Sequence, residues 1–129
     1  MVVGVGIDAV QISSMRRLLE TGGDAFETAT FSEEERRAAY AQPNAVVRFA
    51  GVFAVKEAVY KALAPRAGKE CFDLRRVHVE HWPDGSPHVV VDDYLSQVME
   101  RAAACSVLVS VTNEGDFATA IALAQTEQI

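Results

Sequence analysis

Residues 51–63 read GVFAVKEAVYKAL, and no other stretch restricts the fold as strongly. The segment is mostly small and apolar, the composition of a helix that belongs in a core. It is the centre of the longest helical segment, which the pattern places from about Ala45 to Leu63. Pro43 marks the break before it and suits its first turn. Pro65 and Gly68 close it, so APRAGKEC reads as a loop. Yet Lys56 and Glu57 stand side by side in its middle. On a helix Glu57 shares a face with Phe53, Ala54 and Lys61, so a carboxylate sits among small and apolar neighbours. Such a group is costly unless a cation compensates it. Either Glu57 and Lys61 form an exposed i,i+4 ion pair worth about 0.3–0.5 kcal/mol, or Glu57 is a ligand.

A second segment gives the carboxylate a possible partner. Val2 to Ile7 alternates as a strand, with Val3, Val5 and Ile7 on one face and Val2, Gly4, Gly6 and Asp8 on the other. The two glycines leave that second face bare, open to close approach by another backbone or a ligand. Asp8 ends the strand on the open side. Asp8 and Glu57 together would offer two oxygen ligands with open positions, the usual protein share of a magnesium site that binds substrate phosphates. Lys61 would then be a phosphate partner.

The rest of the chain supplies an α+β frame. ISSMRRLLE at 12–20 suits a short helix stopped by Gly22 and Gly23. Ser32 with Glu35 is a capping box that opens a further helix. LRRVHVEHW at 74–82 alternates as a strand, PDGSP is a turn, and HVVV returns, making a hairpin. Asp92 or Asp93 caps the helix DYLSQVMERAAA. Cys105–Thr112 and Phe117–Ala124 are strands about the turn NEGD, and the terminal TEQI is expected to fray. The expectation is a single domain over 1–129, an antiparallel sheet packed on a long helix.

Composition narrows the function. Half of the 129 residues are hydrophobic, so no staple is needed for a core. Cys71 and Cys105 lack zinc-type spacing, which argues against a structural zinc site. A disulfide between them is not called for, and Cys105 is expected to be a buried small hydrophobe. The net charge of −6, with no basic stripe beyond three arginine doublets, argues against nucleic acid as a partner. The start MVVGVGID has neither the basic region of a signal peptide nor the length of a membrane span, so a cytoplasmic protein is expected. His78, His81 and His88 read as surface imidazoles rather than a three-histidine metal site. Trp82 reads as core or interface packing. Ser110 and Thr112 lack the His/Asp arrangement of a nucleophilic triad.

The motifs resemble a known family. GID at 6–8, followed by Val10 and Ile12, and FAVKEAVYKAL at 53–63 are similar, in order and separation, to the two motifs of the holo-[acyl carrier protein] synthases. WPDGSP at 82–87 is similar to that family's Gly-x-Pro turn, and VSVTNEGDFATA at 109–120 to its closing hairpin. The resemblance covers essentially the whole chain. It implies the 4′-phosphopantetheinyl transferase fold, a homotrimer with sites at subunit boundaries, and transfer of phosphopantetheine from coenzyme A to a serine of an apo acyl carrier protein. Asp8 and Glu57 would hold Mg2+, Lys61 would contact coenzyme A phosphate, and Glu57 would help deprotonate the serine. Arg48, Ser86 and Asn113 would lie on the coenzyme A side. The chain departs from the family pattern at Ser14, Val52, Ala64 to Arg66, Ser86 and Asn113, where a cation, a donor or a flexible turn is expected. Arg48, Lys56, Arg66 and Lys69 are the cations left to compensate. Two functions fit: transfer itself, or a relative that has lost transfer and binds a carrier protein or acts on an acyl chain attached to one.

Overall fold

Alanines at four-residue steps decide how this chain packs. In the computed structural model, which describes residues 1–127, the long helix α3 spans Ala45–Ala67, and Ala50, Ala54, Ala58 and Ala62 are all buried along one side of it. A three-stranded antiparallel sheet is built from β1 (Val2–Gln11), β4 (Ser106–Glu114) and β5 (Phe117–Gln125), in the order β1-β5-β4. Its helix-facing side is equally small: Gly4 and Gly6 on β1, and Ala118, Ala120, Ala122 and Ala124, all buried, on β5. Small side chains on both surfaces let helix and sheet come together almost backbone to backbone. A Cβ on Gly6 would stand 1.8 Å from the Ala58 carbonyl oxygen, and one on Gly4 2.0 Å from that of Ala62. The bare face read from the sequence is therefore where α3 lies.

The remaining elements wrap this pair. Helix α1 (Ile12–Thr30) runs past the expected stop: Gly22 stays helical, and Gly23, at φ 54°, is a kink after which the helix resumes. Helix α2 (Glu33–Tyr40) has the capping box in full, Ser32 N–H donating to Glu35 Oε1 at 2.8 Å and Glu35 N–H to Ser32 Oγ at 3.2 Å. Asn44 caps α3, accepting from Val47 N–H at 3.3 Å, so Pro43 lies before the cap rather than in the first turn. Pro65 lies inside the last turn rather than ending it, and Gly68, at φ 102°, is the true stop. Pro65 forgoes the N–H that would bond the Lys61 carbonyl, and the helix ends two residues later. The expected loop thus begins at Gly68, followed by a 3₁₀ turn over Lys69–Cys71.

The expected strand at 74–82 is mostly something else. Leu74–Arg76 forms a 3₁₀ turn, and β2 is only Val79–His81, paired with β3 (Pro87–Val89) as the foreseen hairpin. Asp92 caps α4 (Asp93–Arg101), accepting from Leu95 N–H at 2.9 Å. Cys105 is exposed, not buried, because it sits just before β4 begins. Thr126 does not fray: its N–H donates to the Met1 carbonyl at 2.9 Å. The expected fraying of Gln128 and Ile129 lies outside the described residues, as does any pairing of the Cys71 side chain. Among the described residues no helix is long and apolar enough to cross a membrane.

Candidate active site at the end of the first strand

Gly4, Gly6 and Asp8 share one face of β1, so the backbone contact that the glycines permit carries Asp8 against α3 as well. There Lys61 Nζ donates to Asp8 Oδ1 at 2.9 Å and to the Ile7 carbonyl at 3.0 Å. The i,i+4 pair of Lys61 with Glu57 is not among the ion pairs of the described residues; the lysine has gone to the strand instead. Glu57 is half-buried, and its pKa is raised above the ordinary glutamate value. Loss of hydration is the first cause, the charge of Asp8 the second, and Lys61 only partly offsets them. Asp8 acts on Glu57 more strongly than Lys61 does, so Glu57 feels a neighbouring carboxylate more than the neighbouring ammonium.

That donor set suits a hard divalent cation. Two oxygen side chains, one of them short of hydration and repelled by the other, gain from a shared Mg2+. Among the described residues no three His, Cys, Asp or Glu side chains gather, so any cation here would keep positions for water or phosphate. Glu57 also lines a cavity of about 570 Å³ with Phe53, Tyr60, Phe72, Lys69 and Arg75. Phe53 and Tyr60 share its helix face, a spacing legible in the sequence. Phe72 and Arg75 arrive from the segment after α3, Arg75 on the 3₁₀ turn Leu74–Arg76 that had read as a strand, and the sequence pattern did not place them.

The other candidates stand elsewhere. Arg48 and Glu57 are nine positions apart on α3, about two and a half turns, and so project to opposite sides. Arg48 and Asn113 line a separate cavity of about 440 Å³ with Gln42, His81 and Gly85. Arg48 Nη1 lies 3.3 Å from His81 Nδ1. Burial, and then the Arg48 charge, push the His81 pKa down to about 4, so the ring is neutral and Nδ1 offers its lone pair. Ser86 borders this region but is tied to its own turn, Oγ donating to Asp84 Oδ1 at 2.6 Å. Within one copy, then, the structure brings Asp8, Glu57 and Lys61 together and leaves Arg48, Ser86 and Asn113 apart from them. Gln42 and His81 are cavity residues that no motif signalled.

Several side chains have structural partners. Lys56 is fully buried, its Nζ 2.9 Å from Glu35 Oε1 and donating to the carbonyls of Val77 at 2.6 Å and Leu74 at 3.2 Å. It is therefore no compensating surface cation. Val52 is buried in the core, and Ser14 Oγ donates to Gln11 Oε1 at 2.8 Å. The three histidines go three ways: His78 faces Asp92, His81 faces Arg48, and His88 stacks on Trp82 with ring centroids 3.6 Å apart. Trp82 is 55% exposed, so it is not a core residue.

Fold and cluster define a class first: an α+β protein that sets two carboxylates and a lysine where an edge strand meets a long central helix. The chain belongs to the 4′-phosphopantetheinyl transferase superfamily, whose sequence model matches residues 4–122, and within it to the holo-[acyl carrier protein] synthases. It is 38% identical over 125 residues to the holo-[acyl-carrier-protein] synthase of Chlamydia trachomatis serovar D, covering 95% of this chain and 98% of that one. The crystal structure of holo-[acyl-carrier-protein] synthase from Neisseria meningitidis superposes with a TM-score of 0.86 at 27% identity, over 98% of this chain and 100% of the other. The synthase–CoA complex from Chronobacterium ammoniagenes gives 0.78 at 25% identity, over 97% and 98%. The enzyme class is accordingly 4′-phosphopantetheinyl transferase.

Proposed function

We propose that the protein transfers 4′-phosphopantetheine from coenzyme A to a serine of an apo acyl carrier protein in the cytoplasm, with magnesium held by Asp8 and Glu57. The observation that carries this reading is the meeting of Asp8, Glu57 and Lys61 where β1 crosses α3. Magnesium, when bound, neutralises charge on the pyrophosphate and orients it for in-line displacement. The chain's own groups do the rest. The serine oxygen attacks the β-phosphorus, the bond to the bridging oxygen breaks, and 3′,5′-ADP leaves. Glu57 accepts the serine proton. The Lys61 ammonium stabilises the oxyanion charge that grows on the phosphate.

The same reading makes the protein a single domain that works as a homotrimer. The sheet face turned away from α3 carries Val5, Ile7, Leu108 and Ile121, each between 40% and 60% exposed. Ile7 pairs with Ile121, and Val5 and Leu108 both pair with Leu123, so these side chains form one continuous patch. Such a patch is what a second copy covers. It also supports a site completed between copies, with Arg48, Ser86 and Asn113 of one facing Asp8, Glu57 and Lys61 of its neighbour across bound coenzyme A.

The test is to incubate the protein with coenzyme A, Mg2+ and a panel of apo carrier proteins and weigh the carriers. A gain of one phosphopantetheine, lost in Glu57→Gln while the fold survives, is the expected result. No gain on any carrier, with no measurable binding of coenzyme A, would sink the proposal in favour of a carrier-binding relative without transfer.

A further inference from the structure

Lys61 holds two partners on the strand, Asp8 Oδ1 at 2.9 Å and the Ile7 carbonyl at 3.0 Å. Its side chain is nevertheless 48% exposed, whereas that of Asp8 is 17% exposed. The lysine thus reaches from solvent onto a carboxylate that is itself largely covered. Asp8 thus has an internal cation of its own, held at hydrogen-bond distance. β1 is an edge strand of the sheet, so a lysine can leave its carbonyl and carboxylate for solvent without disturbing the pairing of β1 with β5.

We propose that Lys61 is the resting-state place-holder for the divalent cation at Asp8, and that metal entry displaces it toward the phosphate it is to contact. The inference rests on the two-carboxylate metal site proposed above and adds an order of events to it. A divalent ion drawn to Asp8 and Glu57 repels an ammonium at hydrogen-bond distance from one of its own ligands. The displaced lysine keeps its flexible stem and three donors, and a metal-bound phosphate is the nearest anion able to take them. Metal and coenzyme A would therefore bind with positive coupling, because the metal frees a phosphate partner and the phosphate holds that partner away from Asp8. In the absence of coenzyme A, Lys61 competes with the metal.

Two measurements on the full-length protein test this. The first is the rate at which an amine-acetylating reagent labels Lys61, read by peptide mass spectrometry with and without Mg2+. The second is Mn2+ affinity by electron paramagnetic resonance, without coenzyme A. Saturating Mg2+ is expected to speed labelling of Lys61 about two- to fivefold, the scale of losing one partly exposed ion pair. Asp8→Asn should label at the fast rate whether or not Mg2+ is present. Lys61→Met, which keeps the stem, should bind Mn2+ more tightly by a similar factor, and Lys61→Arg, which keeps a cation there, should not. The place-holder role is overturned if Mn2+ binds and is lost in Glu57→Gln, yet Lys61 labelling is the same with and without Mg2+. If Mn2+ binding is absent, or indifferent to both Asp8→Asn and Glu57→Gln, the metal site itself fails and this inference falls with it.

Discussion

Lys56 and Glu57 are chain neighbours with opposite environments, because one residue on a helix is a rotation of about 100°. Lys56 points into the core and meets Glu35, which also closes the capping box of α2 and accepts from Val79 N–H at 2.8 Å. Burial lowers the Lys56 pKa and Glu35 opposes that. Lys56→Ala removes one partner of a fully buried pair and leaves Glu35 uncompensated, so it should cost about 3–5 kcal/mol in urea unfolding. Glu57 behaves differently. Its folded pKa is raised, so between the ordinary glutamate value and the raised one the folded state binds more protons than the unfolded state. Stability without divalent metal therefore falls as pH rises through that window. Glu57→Gln should abolish this slope, matching the wild type near pH 4 and exceeding it at pH 7.5; urea midpoints at the two values check it. Helix spacing alone gave Glu57 its lysine neighbour but not the strand that takes that lysine away.

At the scale of elements, β1 against α3 was the most legible contact and the 74–82 segment the least. Two glycines alternating on a strand have few uses other than close approach, and here the approach is to the carbonyls of Ala58 and Ala62. Gly6→Ala should cost about 3 kcal/mol or more, since backbone rather than a flexible side chain stands in the way. Gly51→Ala, within α3, meets only Val111 Cγ2 at 3.6 Å. It should be neutral or stabilising by up to about 1 kcal/mol. Thermal melts of the two variants decide whether close approach or mere glycine content matters. The misread at 74–82 has a specific cause. Its alternation is that of a strand, but the carbonyls of Leu74 and Val77 are taken by Lys56 Nζ, and Asp73 Oδ1 accepts from Arg75 N–H at 3.1 Å. A buried ammonium 18 and 21 residues away in the chain does the work of a neighbouring strand. The start of α1 at Ile12 was legible, but not its long-range partner: Asp116, read as a turn residue, accepts from Ser13 N–H at 3.0 Å and Ser13 Oγ at 2.6 Å.

At the scale of the whole molecule, the candidate site is divided by the helix that organises it. The sequence placed Arg48 and Glu57 on one segment, and helical phase sends them to opposite sides. The proposed trimer on the exposed sheet face would reunite them between neighbours, and closed symmetry would make every boundary identical. That arrangement has a consequence no single-chain site shares. Arg48→Ala spoils only the half-site that a copy lends to its neighbour, and Glu57→Gln only the half-site it uses itself. Each variant alone should transfer poorly or not at all. Co-expressed in equal amounts, they should assemble boundaries that pair an intact Glu57 half with an intact Arg48 half. Random mixing makes these about a quarter of all boundaries. Transfer by the co-assembled protein should therefore recover to about a quarter of the wild-type rate per site, and the Arg48→Ala, Glu57→Gln double variant co-expressed with either single variant should recover nothing. If the two single variants also fail to complement while sedimentation shows mixed oligomers, both halves of the site belong to one chain and the division between copies is wrong.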